Sequence, residues 1–366
     1  MSNSLISMSL FFLTGHFCPV SFILLTFGKD GGMRGARLEV MRHLEPMVAE
    51  QLPVLLRDPE TCWQPSDFSP DFSTETGREE LTALQAEAGR LPDEAMAVLV
   101  GDMVTEEALP SYAAWIATLD GADAQGEPAT AWGAWNRGWC GEENRHGDLM
   151  NRYLYLSGRV NMREVESTIQ HLIHDGGDIE AENDPYRTFV YTSFQEIATY
   201  VSHLNLGKLA QSAGAARLHT LSKKIAGDES RHARAFKFFV SKFLEVDASE
   251  MVLAMEDMMR KKITMPAMYM RERSGERGGA FEKFEAVAQR IGVYTAHDYV
   301  DIMEQLLREW RVADLTGLTP AAEKAQAYLC RLPERYRKLM ERFQPSEEAP
   351  MPTFRWLLPR DAATLV

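Results

Sequence analysis

The chain has 366 residues, of which 45% are hydrophobic, 25% charged and 10% aromatic, enough apolar material for a large core and too much for a mainly disordered chain. Its formal net charge of −14 argues against general binding to nucleic acid or to an anionic membrane, so an acidic partner has to meet a local basic patch. Four widely spaced cysteines, Cys18, Cys62, Cys140 and Cys330, form no C-x-x-C pair, which removes a zinc or iron–sulfur framework and favours a reducing compartment.

In chain order, the longest apolar stretch, Leu10 to Phe27, is broken by Gly15, His16 and Pro19, so no integral membrane span is expected. The first 32 residues hold no Arg and a single Lys, which fits neither a secretory signal nor an Arg-rich transit peptide. Residues 1–37 are therefore read as a poorly ordered extension or leader, or as a start site upstream of Met33, and residues 38–366 as one domain. Trp63 to Phe72, rich in Pro, Ser and Asp, reads as a loop. From Pro92 a helical pattern carries Leu99, Met103, Glu106 and Pro110 on one face. Gly121 to Pro128 is a turn region, and from Thr130 a long pattern aligns Trp132, Trp135, Trp139, Glu143, His146, Met150 and Tyr153. After a loop from Gly176 to Pro185, a third stripe holds Phe189, Thr192, Glu196, Thr199 and His203, and a fourth holds Leu218, Leu221, Ile225, Glu229, His232, Phe236 and Phe239. Val252 to Met259, Phe281 to Arg290 and Tyr299 to Trp310 read as further helices, and a short strand pair is expected between Pro350 and Pro359. The fold class is all-α.

The second and fourth stripes match at a constant offset, with Glu229 and His232 standing 229 − 143 = 86 residues after Glu143 and His146. In each half a lone Glu on a helix precedes a Glu-x-x-His helix, which predicts a four-helix core with approximate two-fold symmetry. Residues three apart share a helix face, so Glu143 with His146, and Glu229 with His232, can each offer a carboxylate oxygen and an imidazole nitrogen to one ion. With Glu106 and Glu196 they form the carboxylate-and-histidine pattern of ferritin-like di-iron or di-manganese bundles. Oxygen-rich ligation without thiolate suits iron or manganese, and four carboxylates balance two divalent ions. Glu106 is chosen over Glu107 because it lies on the Leu99, Met103 stripe. The remaining histidines are read as surface or hydrogen-bonded core residues, and the Trp132, Trp135, Trp139 ladder as core packing rather than an electron route.

The runs V-G-D-M-V-T-E-E-A-L-P from Val100 to Pro110, E-E-N-R-H-G-D-L-M-N-R-Y-L-Y-L-S-G-R-V, Y-T-S-F-Q-E and D-E-S-R-H closely resemble the soluble stearoyl-acyl-carrier-protein desaturases of plant plastids and their bacterial relatives. The likeness runs from about Leu38 to Trp356. It implies a homodimer of helical subunits holding two irons each (Fe2+/Fe3+). It also implies a bent tunnel for an acyl chain carried on acyl carrier protein, and a reaction that uses O2 and two electrons from ferredoxin. Carried over residue by residue, the metal ligands are Glu106, Glu143, His146, Glu196, Glu229 and His232. Thr199 matches a threonine beside the oxygen site, and Asp228 and Trp63 match positions near His146, with a role in electron delivery. Trp115, Thr118, Leu119 and Thr188 fall on the tunnel, and Arg260, Lys261 and Lys262 on the carrier-facing region. Trp115, and Arg187 with Thr188, depart from the plant pattern and imply a shorter or differently shaped tunnel. Hydroxylation of the same substrate, ferroxidase activity and a ribonucleotide reductase radical subunit are the rival readings. The expected location is the bacterial cytoplasm, or the plastid stroma if the source bears plastids.

Overall fold

The computed structural model describes residues 30–119, 121–122, 130–341 and 350–359. Helix α1 (Asp30–Leu55) begins before the expected boundary at residue 37, and its Arg37 pairs with Asp184 and, at 3.1 Å, with Glu250. Residues 1–29 lie outside the described residues, as does most of the Gly121 to Pro128 turn. Helix α2 (Gly77–Ala88) leads into α3 (Asp93–Glu107), which starts with Asp93 and Glu94 against the positive end of its own dipole. Every residue of α3 from Ala95 to Glu106 is buried, so the stripe expected on one face is the visible part of a helix surrounded on all sides. The chain breaks at Ala108 and resumes as α4 (Leu109–Ala117), where Pro110 sits in the first turn rather than ending α3.

Thr130 caps α5 (Ala131–Ser157) by accepting from the Gly133 N–H at 2.9 Å, and left-handed Gly158 (φ 66°) ends it. After α6 (Met162–Asp175), Asp184 caps α7 (Pro185–Ser212), accepting from the Tyr186 N–H at 3.0 Å. Helix α8 (Ala216–Lys261) runs 46 residues and bends at Asp247 (φ −143°, ψ 61°), so the separate helix expected over Val252 to Met259 is its second half. Helices α9 (Gly279–Ile291), α10 (Ala296–Glu309), α11 (Pro320–Leu329) and α12 (Leu332–Met340) pack around the outside. The expected C-terminal strand pair is instead an isolated antiparallel bridge between Val160 and Leu357. It is held by Asn161 N–H to the Trp356 carbonyl at 2.7 Å and Leu358 N–H to the Arg159 carbonyl at 3.1 Å.

Helices α3, α5, α7 and α8 form the central bundle, with α3 packed on α5 and α7 on α8. Its apolar interior falls into two clusters. One gathers Trp132, Trp135, Trp139, Phe189, Phe236, Phe239 and Phe243, and the other Leu99, Met103, Leu149, Met150, Leu206, Leu221 and Ile225. Between them all four helices turn acids, histidines and arginines inward, and burying so many charges is costly unless they find partners. Gly101 serves this packing directly, because a Cβ there would collide with the Phe284 ring of α9.

Candidate metal centre

The polar band is built from one residue of α3, Glu106, one of α7, Glu196, and the paired Glu143 with His146 on α5 and Glu229 with His232 on α8. All six are at most 8% exposed. Their potential ligand atoms form two sets, Glu106, Glu143, His146 and Glu229, and Glu143, Glu196, Glu229 and His232, each lying within 4.8 Å of one another. Glu143 and Glu229 belong to both sets, so either set could hold a metal ion and the two share these carboxylates. His146 Nδ1 lies 3.2 Å from Glu143 Oε2 and 3.1 Å from Glu229 Oε1, and His232 Nδ1 lies 2.6 Å from Glu143 Oε1. Yet both Nδ1 atoms, Glu143 Oε1, Glu196 Oε2 and Glu229 Oε1 are buried without a hydrogen-bond partner. Convergent, unsatisfied nitrogen and oxygen donors carrying four negative charges fit a pair of divalent cations.

A second ring of residues surrounds these side chains. His232 Nε2 lies 3.0 Å from Glu142 Oε2, and His146 Nε2 lies 3.5 Å from Asp228 Oδ2. The helix that carries one histidine therefore supplies the acid that faces the other. Arg231 donates to Asp228 Oδ1 at 2.8 Å and to Glu142, while Arg145 donates to Asp228 Oδ2 at 3.2 Å. Trp63 donates to Asp228 Oδ2 at 2.9 Å, stacks on His146 with ring centroids 6.1 Å apart, and lies under the Arg145 guanidinium. Trp139 donates to Glu196 at 2.9 Å, His203 Nε2 lies 3.2 Å from Glu106 Oε1, and the Thr199 hydroxyl is 3.1 Å from Glu229 Oε2.

Electrostatics follows from this crowding. Burial pushes the Glu106 carboxyl up to about 7, against the pull of His203 and with a further push from Glu229 and Glu143. Glu196 rises well above the carboxylate range for the same first reason. Burial also opposes ionised Glu143, but His146 and His232 outweigh it and hold that carboxyl low. Burial alone would lower both histidines, and the surrounding carboxylates, Glu143 foremost, instead raise them well above their usual value. Divalent cations bound here would compete with protons for these groups.

An apolar cavity of about 70 Å3 adjoins the band, lined by Glu106, Glu143, Glu196 and Glu229 together with Trp115, Tyr191 and Thr199. A second cavity of about 220 Å3, bounded by Met265, Phe281, Tyr294 and Tyr299, lies on the other side of Gln195, which lines both and donates to the Thr264 carbonyl at 2.8 Å. Of the expected tunnel residues, Trp115 and Thr188 line the inner cavity and Thr118 and Leu119 do not. Helix α4 stops at Ala117, so the Thr118 hydroxyl turns back to the Trp115 carbonyl at 2.8 Å and Leu119 packs into the cluster beside Met41. Gly177 makes room for the Trp115 indole, since a Cβ there would meet the ring at 2.9 Å. Of the three expected docking residues, Arg260 is paired with Glu256 at 2.6 Å and Lys261 with Asp257 at 3.0 Å. Lys262 is exposed, takes a left-handed backbone (φ 65°) and borders the outer cavity.

The sequence marks Glu142 and Asp228 as matching acids at the repeat offset (228 − 142 = 86), but its resemblance placed only Asp228 beside a histidine and gave Glu142 no partner. Gln195 and the outer cavity left no signal of their own, because the cavity's walls come from segments that lie far apart in the chain, from Phe194 to Tyr336.

The fold and the band define a helical bundle protein of ferritin-like type, with a buried site suited to two metal ions beside an apolar cavity. The family model for fatty acid desaturases matches residues 36–358, and the chain belongs to that family. It is 50% identical to the chloroplastic acyl-[acyl-carrier-protein] desaturase of Cucumis sativus over 88% of this chain and 82% of the relative. It is 49% identical to the chloroplastic stearoyl-[acyl-carrier-protein] 9-desaturases of Spinacia oleracea and Ricinus communis, again over 88% of this chain, covering 81% and 82% of those relatives. The X-ray structure of DesA2 from Mycobacterium tuberculosis H37Rv shares the fold, with a TM-score of 0.50 at 18% identity over 78% of this chain and 99% of that one. Among the described residues no helix is long and apolar enough to cross a membrane.

Proposed function

We propose that the chain is an acyl-acyl-carrier-protein desaturase that holds two iron ions and uses O2 and two electrons from ferredoxin to remove two hydrogens from a saturated acyl chain. The observation that carries this reading is the inner cavity itself, which is apolar on one wall and bounded on the other by the four carboxylates. A ferroxidase has no need of such a space. Iron bound by Glu106, Glu143, His146, Glu196, Glu229 and His232 would supply O2 activation and hydrogen abstraction, which no side chain performs on an unactivated methylene.

The chain's own residues do the rest. Glu142, 3.0 Å from His232 Nε2, would fix the tautomer and aim of that ring, and Asp228, 3.5 Å from His146 Nε2, places a carboxylate behind the other, so that each Nδ1 faces the candidate ligand oxygens. Thr199, at the junction of cavity and carboxylates, has its hydroxyl 3.1 Å from Glu229 Oε2, where it would offer a hydrogen bond beside the bound metal. Trp63, half-buried between Asp228 and His146, is the point where electrons arrive. The acyl chain enters by the outer cavity, passes Gln195 and ends against Trp115 and Thr188, where the apolar walls exclude water and hold the reacting carbons against the centre. Lys262, with Arg260 and Lys261 in a supporting ion-paired face, meets the acidic carrier. The protein acts as a homodimer in the bacterial cytoplasm or the plastid stroma.

Product analysis tests this reading. The iron-loaded chain is supplied with a panel of saturated acyl-carrier-protein substrates, reduced ferredoxin and O2. An unsaturated product is expected; a hydroxylated product moves the reading to a hydroxylase, and iron oxidation with unaltered acyl chains under every donor overturns it.

A further inference from the structure

The acyl reaction makes no use of a line of aromatic rings that leaves the metal band on its apolar side. Trp139, Trp135 and Trp132 of α5 lead away from Glu196 with phenylalanines of α8 between them. Ring centroids are 5.8 Å apart from Trp139 to Phe236, 5.4 Å from Phe236 to Trp135, 5.2 Å from Trp135 to Phe239 and 5.1 Å from Phe239 to Trp132. The line continues through Phe243, stacked 6.0 Å from Trp132, to Tyr186 at 5.0 Å. Trp139 begins it with its indole N–H on Glu196 at 2.9 Å. Tyr186 ends it with its hydroxyl on Asp247 at 3.1 Å, at the partly exposed bend of α8.

The four oxidisable rings differ in what becomes of their protons. The Trp135 N–H is buried with no partner, and the Trp132 N–H donates to the Met41 carbonyl at 2.9 Å, which cannot take a proton. Loss of an electron from either middle indole leaves a cation that keeps its proton and passes the charge on. At Tyr186 the phenolic proton can cross to Asp247. Arg37 stands over the Tyr186 ring at 5.0 Å and disfavours positive charge there, which ties loss of the electron to loss of the proton. Burial, with Asp247 next, raises the Tyr186 phenol above its usual range, so the ring is neutral until it is oxidised. Core packing accounts for buried rings but not for a series of them that starts on one carboxylate and ends on another.

We propose that Trp139, Trp135, Trp132 and Tyr186 form a protective hole-transfer route, draining oxidising equivalents from a metal centre that has reacted with O2 while no acyl chain fills the cavity. One electron moves from Tyr186 through the three tryptophans to the oxidised centre, which is reduced by one. The phenolic proton goes to Asp247, and a neutral tyrosyl radical remains. A diffusible one-electron reductant, a thiol or ascorbate, returns the electron and Asp247 the proton. This inference rests on the reading of the band as an iron centre that reacts with O2.

The test uses the full chain loaded with Fe2+ and mixed with O2 in the absence of acyl substrate. Iron content, optical oxidation of the iron, organic radical by freeze-quench paramagnetic resonance, and oxidised residues by peptide mass spectrometry are read from the same samples. A tyrosyl signal that changes shape with ring-deuterated tyrosine is expected in the unaltered chain. Removing a link in Tyr186→Phe or Trp135→Phe should reduce it by about tenfold or more, with oxidation products at Trp139 rising instead. Asp247→Asn, at the partly exposed bend, removes only the proton acceptor and should reduce the same signal, which covers the case in which a core variant fails to fold. Iron that binds and oxidises with radical yield equal in all variants overturns the route and leaves the metal reading standing; a chain that binds no iron overturns both.

Discussion

Glu142 is the residue whose substitution says most about how this centre is built. Its Oε2 faces His232 Nε2 at 3.0 Å and pairs with Arg231, and its Oε1 accepts the Arg57 N–H at 2.6 Å. Glu142→Ala leaves the His232 ring without an orienting acceptor and Arg231 with Asp228 alone. Partners of metal-bound imidazoles are worth about 10–100-fold in metal affinity, so the second ion should bind more weakly by about 1.4–2.7 kcal/mol. At a metal concentration near 100 times Kd, one bound ion stabilises the fold by about 2.7 kcal/mol, and a tenfold weaker site retains about half of that. Without metal the variant loses about 3–5 kcal/mol, because a buried ion pair is broken from one side. Glu142→Gln keeps an oxygen acceptor for the imidazole and should show the smaller affinity loss. Equilibrium dialysis with Fe2+ or Co2+ counts the ions, and thermal melts with and without metal read the linkage. A folded Glu142→Ala chain that binds two ions with unchanged affinity, and gains as much melting temperature from them as the unaltered chain, would refute this account.

Trp115→Ala removes an indole from the inner cavity and should admit longer acyl chains; each methylene accommodated is worth about 10–200-fold in relative kcat/KM, read from competition between acyl-carrier-protein substrates of different length. An unchanged chain-length profile would dismiss the indole as the tunnel's end. Arg271, hydrogen-bonded to Asp175 at 2.5 Å, holds that carboxyl down at about 2 against an ordinary 3.8. Its contribution is therefore whole above pH 3.8 and lost as pH falls through about 2, and the melting difference between the unaltered chain and Asp175→Asn should vanish over that interval in acid titrations. Gly101→Ala should destabilise the fold by about 1–3 kcal/mol in urea titration because the new methyl meets the Phe284 ring, and adding Phe284→Leu should recover part of the loss. Full additivity of the two changes would place their effects elsewhere.

The candidate ligand set could be read from the chain because helical spacing is a local rule: Glu143 and His146, or Glu229 and His232, share a face wherever the helix lies. Duplication at a fixed offset then supplied both halves of the band, and Glu106 and Glu196 followed from their own stripes. Local rules also marked where the second long pattern starts, at Thr130, and where the loop before the third one ends, at Pro185, the first residue of α7. They could not say that α3 is buried on every side, that α8 continues past Asp247, or that the segment after Pro350 pairs with residues near Val160, since each depends on which distant segment lies alongside. The same holds within the site. Asp228 facing His146 and Glu142 facing His232 are contacts made across two helices, and Thr118 and Leu119 do not line the inner cavity because they follow the end of α4 at Ala117. Sequence determined which groups could bind metal, because ligand chemistry and helix periodicity belong to the residues themselves. Tertiary packing alone decided which proton, cation or ring each of those groups meets, because burial and cross-helix distance exist only once the four helices are assembled.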